Sequence, residues 1–313
     1  MPSRWKNDKP PSLQEFMERF PDDDACAQYL ERRRWRTGFV CPECGSCSGW
    51  RLQTKRWTWE CRDCRRQTSV TAGTAMHGSK VPLRTWFLAA HLLATHSNGM
   101  SALQLQAKLG LGSYKSAWLL LHKLRRAMVS PDRSLLSGDV EVDETTIPFR
   151  TKDEPVAGGQ GRSTIGKIVV IGAVELLEGG KPGRSRLAVV PDYKGATLKN
   201  FIRANIAAGS HVWTDDNKSY YGLEGYRHTP RVVGKMAAHI LMPWIHRLFS
   251  NLKRWAMGVF HGFRKKYLDA YLGEFVFRWN RRRSYRSSFQ RLVGVSVRLS
   301  PATYDDIRAT AAA

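Results

Sequence analysis

The spacing of apolar residues divides the chain into a helical first part and a mixed second part. Up to about residue 130, apolar side chains recur at helical intervals, as Phe16 and Phe20 do near the start and Trp86 and Leu93 do later. Ser12 and the acids at 22–24 are candidate N-terminal caps. From about residue 137 onward, short runs rich in Val and Ile alternate with glycine turns and amphipathic helices, which predicts an α/β fold.

These patterns predict a multidomain chain. The segments are an N-terminal helical stretch at 1–37, a cysteine-rich ribbon at 38–72, a helical region at 80–130, an α/β domain at 137–290 and a tail at 291–313. Loops are predicted at 157–161 and 179–183, where glycines cluster. The 313 residues are enough for two or three packed domains.

The charge balance points to a polyanionic partner. Lys and Arg number 50 against 27 Asp and Glu, and the net charge of +23 exceeds what solubility requires. A membrane surface is the alternative to nucleic acid, but we find no apolar run of about 18 residues, no lipidation signal and no signal peptide. We therefore expect a nucleic-acid-binding cytoplasmic protein that has no membrane partner.

Four of the six cysteines have the spacing of a structural zinc site. Cys41 and Cys44 form one Cys-x-x-Cys pair, Cys61 and Cys64 form another, and sixteen residues separate the pairs. Each pair can direct two thiolates at one tetrahedral ion, so together they predict a zinc ribbon. Cysteines scattered in a hydrophobic core are the alternative, but a core does not require two Cys-x-x-Cys pairs.

Basic and aromatic residues alternate around this ribbon. They are Arg51, Lys55, Arg56, Arg62, Arg65 and Arg66, interleaved with Trp50, Trp57 and Trp59. The pattern fits a DNA-facing surface. The aromatic side chains equally fit the small core of the ribbon itself, and the sequence leaves both interpretations open.

A helix-turn-helix is predicted after the ribbon. Residues 101–109 form a candidate first helix, 110–113 a glycine turn, and 114–128 a second helix that carries Lys115, Lys123, Arg125 and Arg126. This layout places the second helix in a major groove of DNA. A helical hairpin with a solvated basic face is the alternative.

Two acidic positions follow short predicted strands. In 138–145, strand alternation places Val140 and Val142 on one face and the acids 139, 141 and 143 on the other. Asp143 is therefore a candidate ligand for Mg²⁺ or Mn²⁺. A second strand at 211–215 ends in Asp215, with Asp216 next to it. Either acid alone could be a strand-end cap, but two strands of one sheet can bring both carboxylates to one edge.

A later amphipathic helix carries a further candidate ligand and a cation. His246 and Lys253 are seven residues apart, which is two helical turns, so they share one face. Pro243 suits the first turn of this helix. Taken alone, His246 is more simply explained as a hydrogen-bonded helix histidine than as a ligand.

These motifs resemble a known family from about residue 16 to residue 280. It is the zinc-ribbon insertion-sequence transposases of the family called fifteen ninety-five, within the DDE transposase superfamily. The matching pieces are the two cysteine pairs, Gly73 and Thr74 with Trp86, the run 142–145, the run 213–215 with Tyr220 or Tyr221, Asn251 to Lys253, and the run 274–281.

The resemblance implies a ribonuclease-H-like catalytic domain that cleaves DNA and transfers strands with two divalent cations. It makes Asp143, Asp215 and His246 the ligands of Mg²⁺ or Mn²⁺, with Lys253 on phosphate, and it favours Asp215 over Asp216. The superfamily usually has Glu at the third position, so Glu274 is the alternative to His246. A neutral imidazole removes one negative charge and is a softer ligand, so the site should hold Mg²⁺ less well and tolerate Mn²⁺ better than an all-carboxylate site.

The resemblance also implies the partners. These are the terminal inverted repeats, target DNA and a second copy of the chain in a dimer or higher oligomer, at the nucleoid of a bacterial-type cytoplasm. Residues expected to contact DNA are Lys115, Lys123, Arg125, Arg126, Lys253, Arg281 and Arg282. The stretch 278–291 holds six arginines and no acid, and past Phe289 a solvated tail is the alternative. A DNA-binding regulator and an inactive, domesticated transposase remain the rival functions.

Overall fold

The computed structural model describes residues 10–96, 98–149, 165–231, 238–260 and 263–310. Two compact units form. The first combines Met1–Ser130 with Arg281–Ala313, and the second is Pro131–Asn280. The predicted loop at 157–161 lies outside the described residues. Within the described residues, no helix combines the length and the apolar character that a membrane crossing requires.

Helices dominate the first unit, and the second combines helices with a larger sheet. In chain order the helices are α1 (Leu13–Arg19), α2 (Asp23–Arg34), α3 (Leu83–Thr95), α4 (Ala102–Leu109), α5 (Tyr114–Met128), α6 (Gly195–Asn205), α7 (Ala238–Leu241), α8 (Pro243–Phe260), α9 (Leu268–Asn280), α10 (Tyr285–Ser296) and α11 (Tyr304–Thr310). The strands are β1 (Gly49–Arg51), β2 (Thr58–Cys61), β3 (Gln67–Ser69), β4 (Asp139–Pro148), β5 (Lys167–Leu177), β6 (Lys181–Val190), β7 (His211–Asp215) and β8 (Arg227–Arg231).

Side-chain caps define where the first helices begin. Ser12 accepts a hydrogen bond from the Glu15 N–H while Glu15 accepts one from the Ser12 N–H, so α1 starts with a reciprocal capping box. Asp22 caps α2 by accepting from the Ala25 N–H. Both caps were predicted from the sequence.

The first unit has an aromatic core that includes the end of the chain. Phe289 of α10 lies 5.7–5.8 Å, between ring centroids, from Phe16, Phe20 and Phe87. Leu292 and Val293 are also buried. The expected boundary at 290 and the tail at 291–313 therefore differ from the structure, in which 281–310 packs into the first unit. The reason is the helical spacing of apolar residues at 289, 292, 293 and 295, which gives α10 a face to bury.

The second unit is built on a five-stranded mixed sheet in the order β6-β5-β4-β7-β8. Strand β4 is central: it pairs antiparallel with β5 and parallel with β7. Strands β5 and β6 are antiparallel, and β7 and β8 are parallel. Gly179 and Gly180, both at positive φ, form the turn between β5 and β6, and β6 already begins at Lys181. The predicted loop at 179–183 is thus a shorter turn.

Helices cover both faces of this sheet. Val140 and Val142 belong to the core that β4 forms with Leu198 and Ile202 of α6. The opposite face packs against α8 and α9 through a second apolar core. The alternation predicted for β4 is therefore confirmed, since its acids at 141 and 143 lie on the α8 face.

Candidate active site and zinc centre

Strands β4 and β7 bring two carboxylates to one edge of the sheet. Their parallel register pairs Asp139 with His211 and Glu141 with Trp213. Asp143 and Asp215 each lie two residues beyond that last pair. Equivalent positions on neighbouring parallel strands point to the same face, so both carboxylates lie at one edge on the α8 face.

Helix α8 brings an imidazole to Asp143. The Nε2 atom of His246 lies 3.8 Å from Oδ2 of Asp143, which exceeds hydrogen-bond distance. Oδ1 of Asp143 accepts the Glu144 N–H at 2.8 Å. The Asp143 carboxylate is thus oriented by the backbone through one oxygen and faces His246 with the other.

The buried side chain of Tyr220 lies near the carboxylates of the site. Tyr220 is fully buried, and its hydroxyl donates to Oε1 of Glu144 at 2.7 Å. Burial, followed by Glu144, raises the pKa of Tyr220 well above its usual value, and Asp143 and Asp215 add to the rise. The phenol therefore stays a neutral donor. Glu144 and Tyr220 were within the motifs noted in the sequence, but no role was predicted for either.

Lys253 provides a positive charge on the same face of α8. Its side chain is exposed. Desolvation by neighbouring groups and the nearby Lys167 lower the pKa of Lys253, while Asp143 raises it. The ammonium group is therefore within electrostatic reach of the Asp143 carboxylate.

The alternative ligands have other partners. Asp215 accepts the Asn217 N–H through Oδ1 at 3.2 Å, whereas Asp216 accepts the hydroxyl of Tyr221. Glu274 is fully buried on α9 and pairs with Arg278, with 2.8 Å between Nη2 and Oε1. Glu274 is thus bound to a cation of its own helix.

The chemical types of the donor atoms at this site suit Mg²⁺ or Mn²⁺. Two carboxylates and an imidazole are ligands that Mn²⁺ accepts readily. Their atoms are not gathered tightly, however, because the one group of three or more ligating side chains within 4.8 Å among the described residues is the cysteine cluster. Coordination of one ion by Asp143, Asp215 and His246 together therefore requires their side chains to move.

The cysteine cluster fits zinc in kind and in geometry. The Sγ atoms of Cys41 and Cys64 are 3.5 Å apart, and those of Cys44 and Cys61 are 3.6 Å apart. Sulfur atoms on one tetrahedral zinc lie roughly 3.8 Å apart, given bonds of about 2.3 Å. A disulfide would require about 2.05 Å. The four predicted ligands therefore form a zinc-binding arrangement, in which Cys61 ends β2 and the other three lie outside the strands.

In each Cys-x-x-Cys pair the backbone favours the thiolate form of the first cysteine. A hydrogen bond from the Cys44 N–H is the main cause that lowers the pKa of Cys41. The Cys64 N–H likewise lowers the pKa of Cys61 to about 7. Against the lowering effect of the Ser46 and Arg66 N–H groups, desolvation and the neighbouring cysteines raise the pKa of Cys44 and Cys64. Thiolates are the metal-binding form of cysteine, so two of the four ligands must still lose a proton when a cation binds.

The aromatic residues of the ribbon divide between the two interpretations. Trp59 stacks on Phe39 with 5.4 Å between ring centroids, so it belongs to the small core. Trp50 and Trp57 lie beneath guanidinium groups instead, with Arg65 at 5.4 Å and Arg56 at 4.5 Å from the ring centroids. These arginines are exposed.

The basic residues of α5 are less accessible than predicted. Helices α4 and α5 have the predicted bounds, and Gly110 ends α4 in the left-handed conformation. Lys115 is exposed, but Lys123 and Arg125 are only 6% and 2% exposed. This is at odds with DNA contact by Lys123 and Arg125. Their long stems are buried because α5 packs against both α4 and α10.

The remaining predicted DNA contacts are partly exposed. Arg126 is half-buried and donates to the carbonyl of Ser300 at 3.4 Å. Arg281 and Arg282 are also half-buried. Burial, followed by the neighbouring Arg291, lowers the pKa of Arg281 to about 10.

Comparison with known proteins places these two sites in one family. Residues 135–280 match the model of the ISXO2-like transposase domain, and residues 21–67 match that of the transposase zinc-ribbon domain. A protein of Halobacterium salinarum (strain ATCC 700922 / JCM 11081 / NRC-1) described as "Uncharacterized protein in transposable element ISH50" is 32% identical over 154 residues. That match covers 47% of this chain and 51% of the relative, so the chain spans about half the length of the curated relative it matches.

Both domain models belong to the same group of mobile elements, and together they cover more than half of the chain. Their positions coincide with the cysteine cluster and with the sheet that carries Asp143 and Asp215. The chain therefore belongs to the zinc-ribbon insertion-sequence transposases of the family called fifteen ninety-five.

Proposed function

We propose that this protein is an insertion-sequence transposase that cleaves DNA at the ends of its element and joins the freed strand to a target. The observation that carries the proposal is the edge of the sheet where Asp143 and Asp215 occupy equivalent positions on adjacent parallel strands, with His246 3.8 Å from Asp143. The membership of 135–280 in a transposase domain family supports the same reaction class.

We further propose that the second unit has a ribonuclease-H-like fold. Three consecutive antiparallel strands, two further parallel strands and helices on both faces support this assignment. In such a sheet the carboxyl ends of parallel strands gather ligands at one edge. The parallel pairing of β4 and β7 ends at Glu141 and Trp213, two residues before Asp143 and Asp215.

In this proposal Asp143, Asp215 and His246 are the residues that would hold the divalent cations. When bound, such cations lower the pKa of the attacking water or 3′-hydroxyl and neutralise charge that develops on the phosphate. Lys253 binds a phosphate oxygen beside the scissile bond. The Glu144 and Asn217 N–H groups hold the two aspartates in orientation, and Tyr220 keeps Glu144 in place.

DNA recognition is assigned to the first unit. The zinc ribbon presents exposed arginines over Trp50 and Trp57, and the first turn of α5 presents Lys115. We propose that these surfaces, with Arg126, Arg281 and Arg282, bind the terminal inverted repeats. Bringing two ends together calls for at least a homodimer.

The test is strand transfer by the purified protein on DNA that carries the element ends, with Mg²⁺ or Mn²⁺. Asp143→Asn, Asp215→Asn and His246→Ala are expected to abolish joined products while DNA binding persists, with Mn²⁺ supporting more activity than Mg²⁺. Asp216→Asn is the matched control and should remain active, since Asp216 bonds Tyr221.

Other outcomes separate the alternatives. Activity that survives in His246→Ala but is lost in Glu274→Gln would move the third ligand to α9. Absence of product from the wild type with either metal, with DNA binding intact, would support a regulator or an inactive transposase. In that case the proposed activity is refuted.

A further inference from the structure

We propose that Glu141 is the positioning residue of the active site: it fixes the first turn of α8 to strand β4 and thereby holds His246 beside Asp143. This inference rests on the proposed function, because it assigns a purpose to the placement of His246. Glu141 itself contacts neither DNA nor metal in the proposal.

The contacts of Glu141 connect the central strand with the helix. The N–H groups of Trp244 and Ile245 donate to the same oxygen, Oε2, at 2.9 and 2.7 Å. Glu141 is 3% exposed. The first N–H groups of a helix have no partner within the helix, and a carboxylate there also interacts favourably with the helix dipole. A buried carboxylate at this place therefore binds the helix start firmly.

This attachment is tertiary, because Glu141 lies 103 positions before Trp244 in the chain. A local cap would only start the helix. This one also sets the position of the helix relative to the sheet. His246 follows Ile245 directly, and Asp143 lies two residues after Glu141 on the same face of β4. Glu141 therefore fixes the positions of both His246 and Asp143.

A glycine provides independent support for a closely set helix. Gly172 of β5 pairs with Asp143 across the ladder. A Cβ atom at Gly172 would lie 2.8 Å from the ring of Phe249 and 3.0 Å from Cδ1 of Ile245. The missing side chain allows α8 to lie directly against the sheet beside Asp143. Any larger residue would displace the helix or compress its core.

A second contact keeps the helix attached when Glu141 is changed. The indole Nε1 of Trp244 donates to the carbonyl of Gly180 at 2.7 Å. Variants at Glu141 should therefore fold, with the start of α8 held less exactly. This makes a loss of function separable from a loss of structure.

The experiment compares Glu141→Gln and Glu141→Ala in the full chain, by Mn²⁺ titration calorimetry and by strand transfer. Both N–H groups donate to one oxygen, which the Gln amide also offers, so Glu141→Gln should retain Mn²⁺ affinity to within about threefold. Glu141→Ala should weaken Mn²⁺ binding by about 10- to 100-fold, the range typical when a residue that orients a ligand is lost. Gly172→Ala should weaken it in the same direction.

The matched control is Glu175→Ala. Glu175 is another buried acid of the same sheet, and it accepts N–H groups of Ser137 and Arg184 at 2.9 and 3.2 Å. It pairs with Val140 and so lies on the opposite face from Glu141. Its loss should lower thermal stability and leave Mn²⁺ affinity unchanged.

Several results would overturn the positioning role. Equal loss in Glu141→Gln and Glu141→Ala would make Glu141 a metal ligand, and unchanged affinity in Glu141→Ala would make it a structural residue only. If the wild type binds no Mn²⁺, the proposed function fails first. The positioning role is then judged from a crystal structure of metal-free Glu141→Ala, in which His246 must move away from the 3.8 Å separation seen here. An unmoved imidazole refutes it.

Discussion

The exposure and the pKa of individual charged side chains in this protein depend on their tertiary surroundings, which the sequence does not show. Helix α5 shows this most clearly. Its His122, Lys123 and Arg125 are all buried, although each would be read as part of a basic face. Burial lowers the pKa of Lys123 and, followed by the nearby Arg125, lowers that of His122 to about 3.

The lowered pKa of His122 predicts a loss of stability in mild acid. Between pH 6.5 and about 3 the unfolded chain binds a proton at this imidazole and the folded chain does not, so stability falls as the pH falls. At pH 5 the loss relative to pH 7.5 should be about 2 kcal/mol. Urea denaturation of wild type and His122→Phe at both pH values measures it.

The replacement removes the titrating group, so the acid-induced loss should be smaller in His122→Phe than in the wild type. The difference between the two proteins at pH 7.5 reports the loss of the contacts of the neutral imidazole, among them the one with Trp118, whose ring lies 4.1 Å from that of His122. Equal acid-induced losses in both proteins would contradict the assignment.

At this scale the candidate ligands could be predicted from the sequence, but the residues that place them could not. Asp143 and Asp215 stand out because each follows a short run of strand-forming residues, and the cysteines because of their spacing. Glu141 was placed on the correct face by alternation, yet its partners lie on a helix distant in sequence. Gly172 carries no signal at all, since its purpose depends on Ile245 and Phe249.

Of the structural elements, the zinc ribbon depends most on a bound metal ion for its stability. Its strands are three or four residues long, and its core is a few aromatic rings around Trp59. So small a core cannot offset the entropy of ordering the segment by itself. A four-thiolate site contributes the missing free energy.

Removal of zinc is therefore expected to unfold the ribbon and to weaken DNA binding. Cys44→Ser should have the same effect as a strong chelator, because it removes one of four ligands. The measurements are zinc content, near-ultraviolet circular dichroism of the tryptophans, and affinity for DNA that carries the element ends.

Cys47→Ser is the control for this prediction. Cys47 is exposed and lies three residues from Cys44, but it is not a member of the four-cysteine group. It should keep zinc and DNA affinity. DNA binding that survives complete zinc removal would refute the role assigned to the ribbon.

The bounds of short elements follow from local chemistry. Helix α4 begins at a reciprocal capping box between Ser101 and Gln104 and ends at Gly110, whose φ of 61° is costly for other residues. Such signals are carried by neighbouring residues. For that reason α4 and α5 were predicted at the correct positions, while the burial of the charged residues on α5 was not.

In the first unit, segments that are distant in sequence form one core. Phe289 of α10 contacts aromatic rings of α1, α2 and α3, among them Tyr29 at 6.3 Å and Phe87 at 5.8 Å between ring centroids. The segment after the second unit thus completes the core of the unit before it. Loss of this segment should destabilise residues far from it in sequence.

Phe289→Ala tests this organisation. Truncation of a fully packed Phe is expected to cost about 3–5 kcal/mol, and it should lower the thermal transition of the first unit. Leu103→Ala is the control, because Leu103 is 67% exposed and its truncation should cost under about 0.5 kcal/mol. Equal transition temperatures for Phe289→Ala and the wild type would show that α10 is dispensable.

By itself, the sequence determined what depends on neighbours along the chain: the helix caps, the zinc knuckles, the alternation of β4 and the candidate ligands. Tertiary structure alone decided which residues anchor α8, which charged side chains are buried and where the last helices pack. The physical reason is the separation along the chain over which each interaction acts. Capping and strand alternation act over a few residues, whereas the Glu141 bonds, the space at Gly172 and the packing of Phe289 need groups that only folding brings together.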